Sequence, residues 1–304
     1  MTQELAHLLN NLETSLEISL QVSFFGVATG NELLELLRFP FMQRALAGAV
    51  LMGILGGLLG SFVTLRQLSF FSHAVGHAAL VGVALGVLLQ LQNPAWTLLP
   101  FSLIFGVAVI YFIDKSDVGS DSVLSIVLSG ALAIGIILTS LIKGYRGNLM
   151  AVLFGDILAI DATDLVLTLL VLALSSVFLL STLRQQILLT LNPAVAQVQG
   201  IPVQLYRYAF VVLLSLAVAV AIKAVGVLLV NAFLVIPAAT SKVMSFNFSR
   251  FLLLSVIIGC CSSVAGIIVS GLFNIASGPS IVLVQFLVFL AVFAFVKLSA
   301  AKAT

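Results

Sequence analysis

Eight stretches of this 304-residue chain are apolar for long enough to cross a lipid bilayer, and that leaves few folds open to it. A hydrocarbon core of about 30 Å takes roughly 17–25 residues of helix. Such runs occur at 40–64, 70–91, 96–113, 122–142, 163–183, 207–225, 250–273 and 279–297. Backbone N–H and C=O groups find no water in hydrocarbon, so each run must satisfy them internally as a helix. The expected fold is therefore all-α, a polytopic transmembrane helix bundle of 8–9 membrane helices. The ninth candidate, 226–241, is set off from its predecessor only by Lys223 and Gly226. From Arg207 to Lys242 the chain is long for one helix and short for two, which predicts one full crossing followed by a short helix broken near Pro237.

Charge usage points the same way. Only 8% of the residues are charged and 62% are hydrophobic, against about 25% charged in soluble domains. A net charge of +2 with no basic run gives no footing for nucleic acid. Residues 1–38 read as an interfacial, amphipathic lead-in, and 39–304 as a single transmembrane domain. Glu4, Glu13 and Glu17, with no basic start, argue against a cleavable signal peptide. Cys260 and Cys261 are adjacent in an apolar run, pointing about 100° apart on a helix, and read as packing residues rather than a disulfide. Gly53, Gly56, Gly57 and Gly60 suit close helix packing in the first crossing.

Orientation follows from lysine and arginine in short loops, which favour the cytoplasm. If the first crossing runs inward and 226–241 also crosses, the cytoplasm receives Arg66, Lys115, Arg184, Arg207, Lys242, Arg250, Lys297 and Lys302. Arg38, Arg44, Lys143, Arg146 and Lys223 stay outside. Lys223 is expected to snorkel to the interface. Asp161 is expected to cap the helix that follows it, with Asp164 in its first turn.

Two of the chain's three histidines, His73 and His77, stand four residues apart in the apolar run FFSHAVGHAALVGVALGVLL. Residues at i and i+4 stack on one helix face, about 6 Å apart, so two imidazoles can meet one cation. Ionisable groups at membrane depth are costly and tend to mark pathways. The plainer alternative is a pair of interface histidines hydrogen-bonded to backbone or serine, and spacing alone leaves both open. A zinc-hydrolase HExxH helix is excluded at this position, because Ala74 stands where that chemistry needs its glutamate.

Outside the crossings, 144–162 carries a Gly-rich entry, a short apolar helix and two acids. Asp156 is the best placed acid there, with a helix-end cap as the plainer role and metal contact as the sharper one. In the loop 184–206, Asn192 can cap a short helix with Pro193 at its first position. Gly200 suits a left-handed stop before Pro202. A helix that small either docks into a partner or simply returns the chain to the membrane. No GxxxxGK[ST] loop occurs, so any transport would draw on a partner or an ion gradient.

These pieces together resemble the membrane permeases of zinc and manganese ABC importers, the ABC-3 family, over roughly 40–297. LRQLSFFSHAVGHAALVGVALG is similar to the family's signature after the first crossing. LFGDILAI at 153–160 resembles its external short helix, and NPAVAQVQGIP at 192–202 its coupling helix. AVGVLLVNAFLVIPAAT at 224–240 and SGPSIVLV at 277–284 are similar to two further stretches, all in family order. The resemblance implies a type II-like ABC importer permease in a bacterial plasma membrane. It also implies a homodimer, two cytoplasmic ABC ATPase subunits and an extracytoplasmic metal-binding protein.

Zinc or manganese would be cargo, with no cofactor permanently bound and no catalytic residue in this subunit. The coupling helix would span about 190–203, with Asn192, Pro193, Ala196, Gly200, Ile201 and Pro202 as its motif positions. Asn192 stands where the family has an acid. His77 falls on the family's histidine, whereas His73 replaces its aspartate; Ser72, Gly76 and Val81 also depart from the pattern. Imidazole suits zinc better than manganese, which tilts the expected cargo toward zinc. The alternative function is a proton-coupled secondary metal carrier that uses the histidines as titrating groups. The absence of paired intramembrane carboxylates weakens it.

Overall fold

The structure is a computed structural model that describes residues 38–91, 95–141, 154–155, 157–227 and 229–301. The lead-in up to residue 37, the segment 142–153 and Asp156 lie outside the described residues. In chain order the helices are α1 (Pro40–Leu65), α2 (Ser69–Leu88), α3 (Ala95–Lys115), α4 (Ser120–Leu141), α5 (Ala162–Ser181), α6 (Leu183–Leu191), α7 (Pro193–Val198), α8 (Val203–Val225), α9 (Val230–Met244), α10 (Phe248–Phe273) and α11 (Ser277–Ala301). A single 3-10 turn, Ile157–Ala159, precedes α5.

Eight helices among the described residues are long and apolar enough to cross a membrane, at the places the apolar runs mark. Helices α1, α2 and α8 are mostly buried and form the centre; α3, α4, α5, α10 and α11 surround them and turn apolar faces outward. Phe62, Phe71, Phe210, Phe233 and Met52 fill the middle with no more than 2% exposure, so the core is closed by large side chains rather than by a pore within one chain. The outward faces carry Leu283, Phe286, Leu290 and Phe295 on α11 and Ile126, Ile134 and Ile137 on α4. In a bilayer such surface faces lipid or another protein chain without penalty.

Small residues set the closest approach. A Cβ on Gly57 would lie 2.5 Å from the Ser255 carbonyl oxygen, and one on Gly53 would lie 2.6 Å from Cys260 Cα. Helices α1 and α10 therefore meet backbone to backbone, and Ser255 donates across the seam to the Gly57 carbonyl at 2.9 Å. Without a hydrophobic drive between helices in lipid, dispersion and hydrogen bonds at such seams do the holding. Cys260 and Cys261 are both free, the first half-buried and the second exposed.

The sequence placed a break near Pro237; α9 instead runs unbroken through it, and the interruption lies at 226–229. Gly226 closes α8 with φ +89° and ψ 159°, a conformation that glycine adopts without a Cβ penalty. Pro237 lacks the N–H that would bond the Phe233 carbonyl. That turn lies against α1 at glycines: a Cβ on Gly56 would sit 3.4 Å from the Phe233 oxygen, and one on Gly60 would overlap the Leu234 oxygen. The neighbouring helix thus covers the freed backbone, which is how proline is tolerated within membrane helices. At 15 residues, α9 is about 22 Å long, short of a full crossing.

The crossings alternate from α1 to α8, and α10 runs antiparallel to α1, with Gly53 against Cys260, Gly57 against Ser255 and Phe62 against Phe248. Arg66, Lys115, Arg184, Arg207, Lys242, Arg250 and Lys297 therefore gather at the end that carries α6 and α7. Arg38, Arg44 and Lys223 lie at the other end. At the α7 end Arg207 pairs with Asp114, and at the opposite end Lys223 pairs with Asp164 at 2.6 Å. Asp164 also accepts from the Asp161 backbone N–H at 3.0 Å, so the acid in the first turn of α5 serves the helix start and the lysine together.

Candidate metal pathway and coupling helix

His73 and His77 lie on one face of α2, and their rings meet edge to face with centroids 4.5 Å apart and planes at 83°. His77 is 7% exposed and His73 is half-buried. The Nδ1 atoms of both are buried and have no hydrogen-bond partner among the described residues. On the Nδ1 side, the plainer alternative of backbone or serine partners is not met among the described residues. A buried polar atom without a partner costs about 1–3 kcal/mol, so each Nδ1 is a ring nitrogen left open to a further partner. No third His, Cys, Asp or Glu joins it among the described residues.

The break after α8 abuts this part of α2. Ser72 donates to Asn231 Oδ1 at 3.1 Å, and a Cβ on Gly76 would come within 3.1 Å of Val230 Cγ1 and 3.6 Å of the Val227 carbonyl oxygen. Residues 154–155, the 3-10 turn at Ile157–Ala159 and the start of α11 close on the same break. A Cβ on Gly155, at φ +66°, would strike the Gly226 nitrogen, and one on Gly278 would lie 2.7 Å from the Val225 carbonyl oxygen. The Ile157 N–H donates to Ser277 Oγ at 3.1 Å. Three segments singled out in the sequence for separate reasons, around 155, 226 and 278, are thus one interlocked junction held by a glycine from each. Sequence reasoning did not join them, although the glycine shared by all three was the available signal.

The helix expected at 192–202 forms as α7, and its signals act as read. Asn192 Oδ1 accepts from the Ala194 and Val195 N–H groups at 3.1 and 3.2 Å. Pro193 takes the first position, where its missing N–H leaves nothing unpaired. Gly200 turns the chain at φ +78°, and the Ile201 N–H returns to the Ala196 carbonyl at 3.1 Å. Pro202 then caps α8. Ala196 is fully buried, whereas Leu191, Val195 and Val198 are 77%, 42% and 89% exposed. The short helix is pinned from beneath and offers apolar side chains outward.

The sequence counted Arg66 as a loop charge within the signature stretch and assigned it no partner. In the structure its guanidinium lies 4.5 Å from the Phe210 ring and hydrogen-bonds α6. Burial first, and the charge of Arg207 second, lower its pKa from the ordinary value to about 10, so it stays charged at neutral pH.

The profile of the ABC 3 transport family matches residues 38–296. The chain belongs to the ABC 3 transport family. Among relatives in that family, the manganese transport system membrane protein MntC of Halalkalibacterium halodurans is 34% identical over 86% of this chain and 89% of its own length. The high-affinity zinc uptake system membrane protein ZnuB of Haemophilus influenzae is 32% identical over 81% of this chain and 94% of its own. A chain of the solved PsaBC complex from Streptococcus pneumoniae superposes with a TM-score of 0.77 at 34% identity, covering 87% of this chain and 95% of that one. The helical bundle is therefore an ABC-family permease fold, and the chain is a multi-pass membrane protein of that family.

Proposed function

We propose that this chain is the permease subunit of an ATP-driven importer that carries zinc or manganese into the cytoplasm by alternating access. The observation that carries the metal pathway is the imidazole pair of α2, set in a membrane crossing with both Nδ1 atoms buried and without a hydrogen-bond partner among the described residues. Two ligands leave zinc's usual four-coordinate shell incomplete. Water or a second protomer supplies the remainder in passing, and an incomplete shell is what lets an ion leave again. Two imidazoles in place of the family's carboxylate and imidazole favour zinc over manganese.

The working unit is a homodimer in a bacterial plasma membrane, with residues 39–304 as its transmembrane domain. An extracytoplasmic metal-binding protein delivers the ion near 144–162, with Asp156 at that face. Cytoplasmic ABC ATPases receive α7, and their closure on nucleotide moves the helices. The capped, outward-facing apolar surface of α7 and the excess of arginine and lysine at its end of the bundle support that side as cytoplasmic. Hydrolysis belongs to the partner subunits, and this chain moves the ion.

His77→Ala tests the pathway. Zinc and manganese uptake by the assembled complex is expected to be lost while membrane insertion and ATPase assembly persist. Unchanged uptake removes His77 from the pathway.

A further inference from the structure

We infer that Arg66 is the positioning residue that ties movement of the coupling helix to the histidine-bearing helix α2, an inference that rests on the coupling role proposed for α7. Arg66 Nε donates to Thr190 Oγ1 at 3.1 Å, and Nη2 donates to the Gln186 carbonyl at 3.3 Å and to Gln186 Oε1. Both residues are on α6, which runs through Asn192 directly into α7, and they stand 124 and 120 positions away in the chain. The backbone of α6 packs mainly on its chain neighbours α5 and α7. With Leu183, which packs against the core, the guanidinium fork fastens α6 across the sequence to the bundle.

The other side of the guanidinium is held as firmly. Phe210 of α8 lies 4.5 Å from its carbon and Phe62 of α1 lies 5.6 Å away, the stacking arrangement in which arginine differs most from lysine. Gln186 is fully buried and donates onward to Thr182 Oγ1 at 3.2 Å, at the joint between α5 and α6. One side chain therefore joins α1, α6 and α8.

From Arg66 to α2 the chain has almost no slack. The Arg66 N–H bonds the Phe62 carbonyl and the Leu68 N–H bonds the Val63 carbonyl, each at 2.9 Å. Between them Gln67 is left-handed at φ +56°, and this six-to-one closure makes the turn short and stiff. Helix α2 begins at Ser69, and His73 follows about one turn later. Beside this joint a cavity of about 790 Å³ is lined by Arg66, Gln67, Thr190, Pro193, Arg207 and Phe210. The space lets the α6–α7 arm swing, while Arg66 makes the swing reach α2.

The test measures metal transported per ATP hydrolysed by the complete complex in proteoliposomes. Arg66→Gln is expected to lower that ratio about fivefold or more, the scale of typical site-to-site coupling, with complex assembly and basal ATP hydrolysis retained. Arg66→Lys, which keeps the charge but not the fork or the stacking, should recover the ratio in part. Thr190→Val removes one acceptor with little change of shape and should lower it less, so the inference stays testable if Arg66→Gln does not insert. A purely structural role would lower assembly or melting temperature and leave the ratio alone. Ala196→Pro is run in parallel. If it uncouples while the Arg66 and Thr190 variants keep the wild-type ratio, Arg66 is not the link and the coupling role of α7 stands. If Ala196→Pro itself stays coupled, that role falls and this inference with it.

Discussion

Replacing Asn192 by alanine removes one side-chain oxygen that holds two backbone donors, at 3.1 and 3.2 Å, at the start of a six-residue helix. The loss of an asparagine cap costs about 1 kcal/mol, within a range of roughly 0.5–2. A longer helix absorbs that, but an isolated single turn and a half is marginal because nucleation dominates so short a segment. One kcal/mol corresponds to roughly a fivefold change in an equilibrium constant. If the ATPase recognises only the helical form, its dissociation constant should rise by about fivefold for 1 kcal/mol, with the 0.5–2 kcal/mol range spanning roughly two- to thirtyfold. Asn192→Asp keeps the acceptor and restores the acid the family pattern carries, so it should bind at least as well as the wild type. Permease in lipid nanodiscs, titrated with its ATPase and read by biolayer interferometry, gives both constants. Equal affinities for the wild type and N192A, with equal metal moved per ATP, would refute docking through a capped α7.

His73→Asp should shift the zinc-to-manganese uptake ratio toward manganese, since a carboxylate oxygen replaces one imidazole; an identical ratio removes the pair from selectivity. Gly57→Ala puts a methyl 2.5 Å from the Ser255 oxygen, and overpacking of this kind costs about 1–3 kcal/mol. A thermal-shift assay in detergent should show a lower melting temperature, and no change would contradict the close seam between α1 and α10. Lys223→Met breaks a partly exposed ion pair with Asp164, for which about 1 kcal/mol or less is at stake. The same assay should barely move, and a large drop would show the pair to be structural.

The eight crossings were legible because the bilayer imposes a length that hydropathy alone reports, and each run lies on a helix within a few residues of its ends. The short helix α7 was legible for a different reason: Asn192, Pro193, Gly200 and Pro202 act through their own backbone neighbours, so local chemistry sufficed. Pro237 misled because its tolerance depends on Gly56 and Gly60, far away in the chain, which no local rule connects to it. The lack of a partner at Nδ1 of His73 and His77 among the described residues and the grip of Arg66 on Gln186 and Thr190 are likewise tertiary facts. The spacing of the histidines announced a shared face but not what would meet their Nδ1 atoms. Arg66 stood inside the stretch similar to the family signature, but nothing local showed which partners it would hold.

The most direct test of the account is metal accumulation in proteoliposomes holding the permease with its ATPase and binding protein, followed by element-specific detection with zinc and manganese supplied side by side. The account predicts accumulation that requires ATP and the ATPase subunits, disappears in the His77→Ala complex, and favours zinc. Accumulation without the ATPase, driven by an imposed pH gradient, would contradict it and make the chain a proton-coupled carrier.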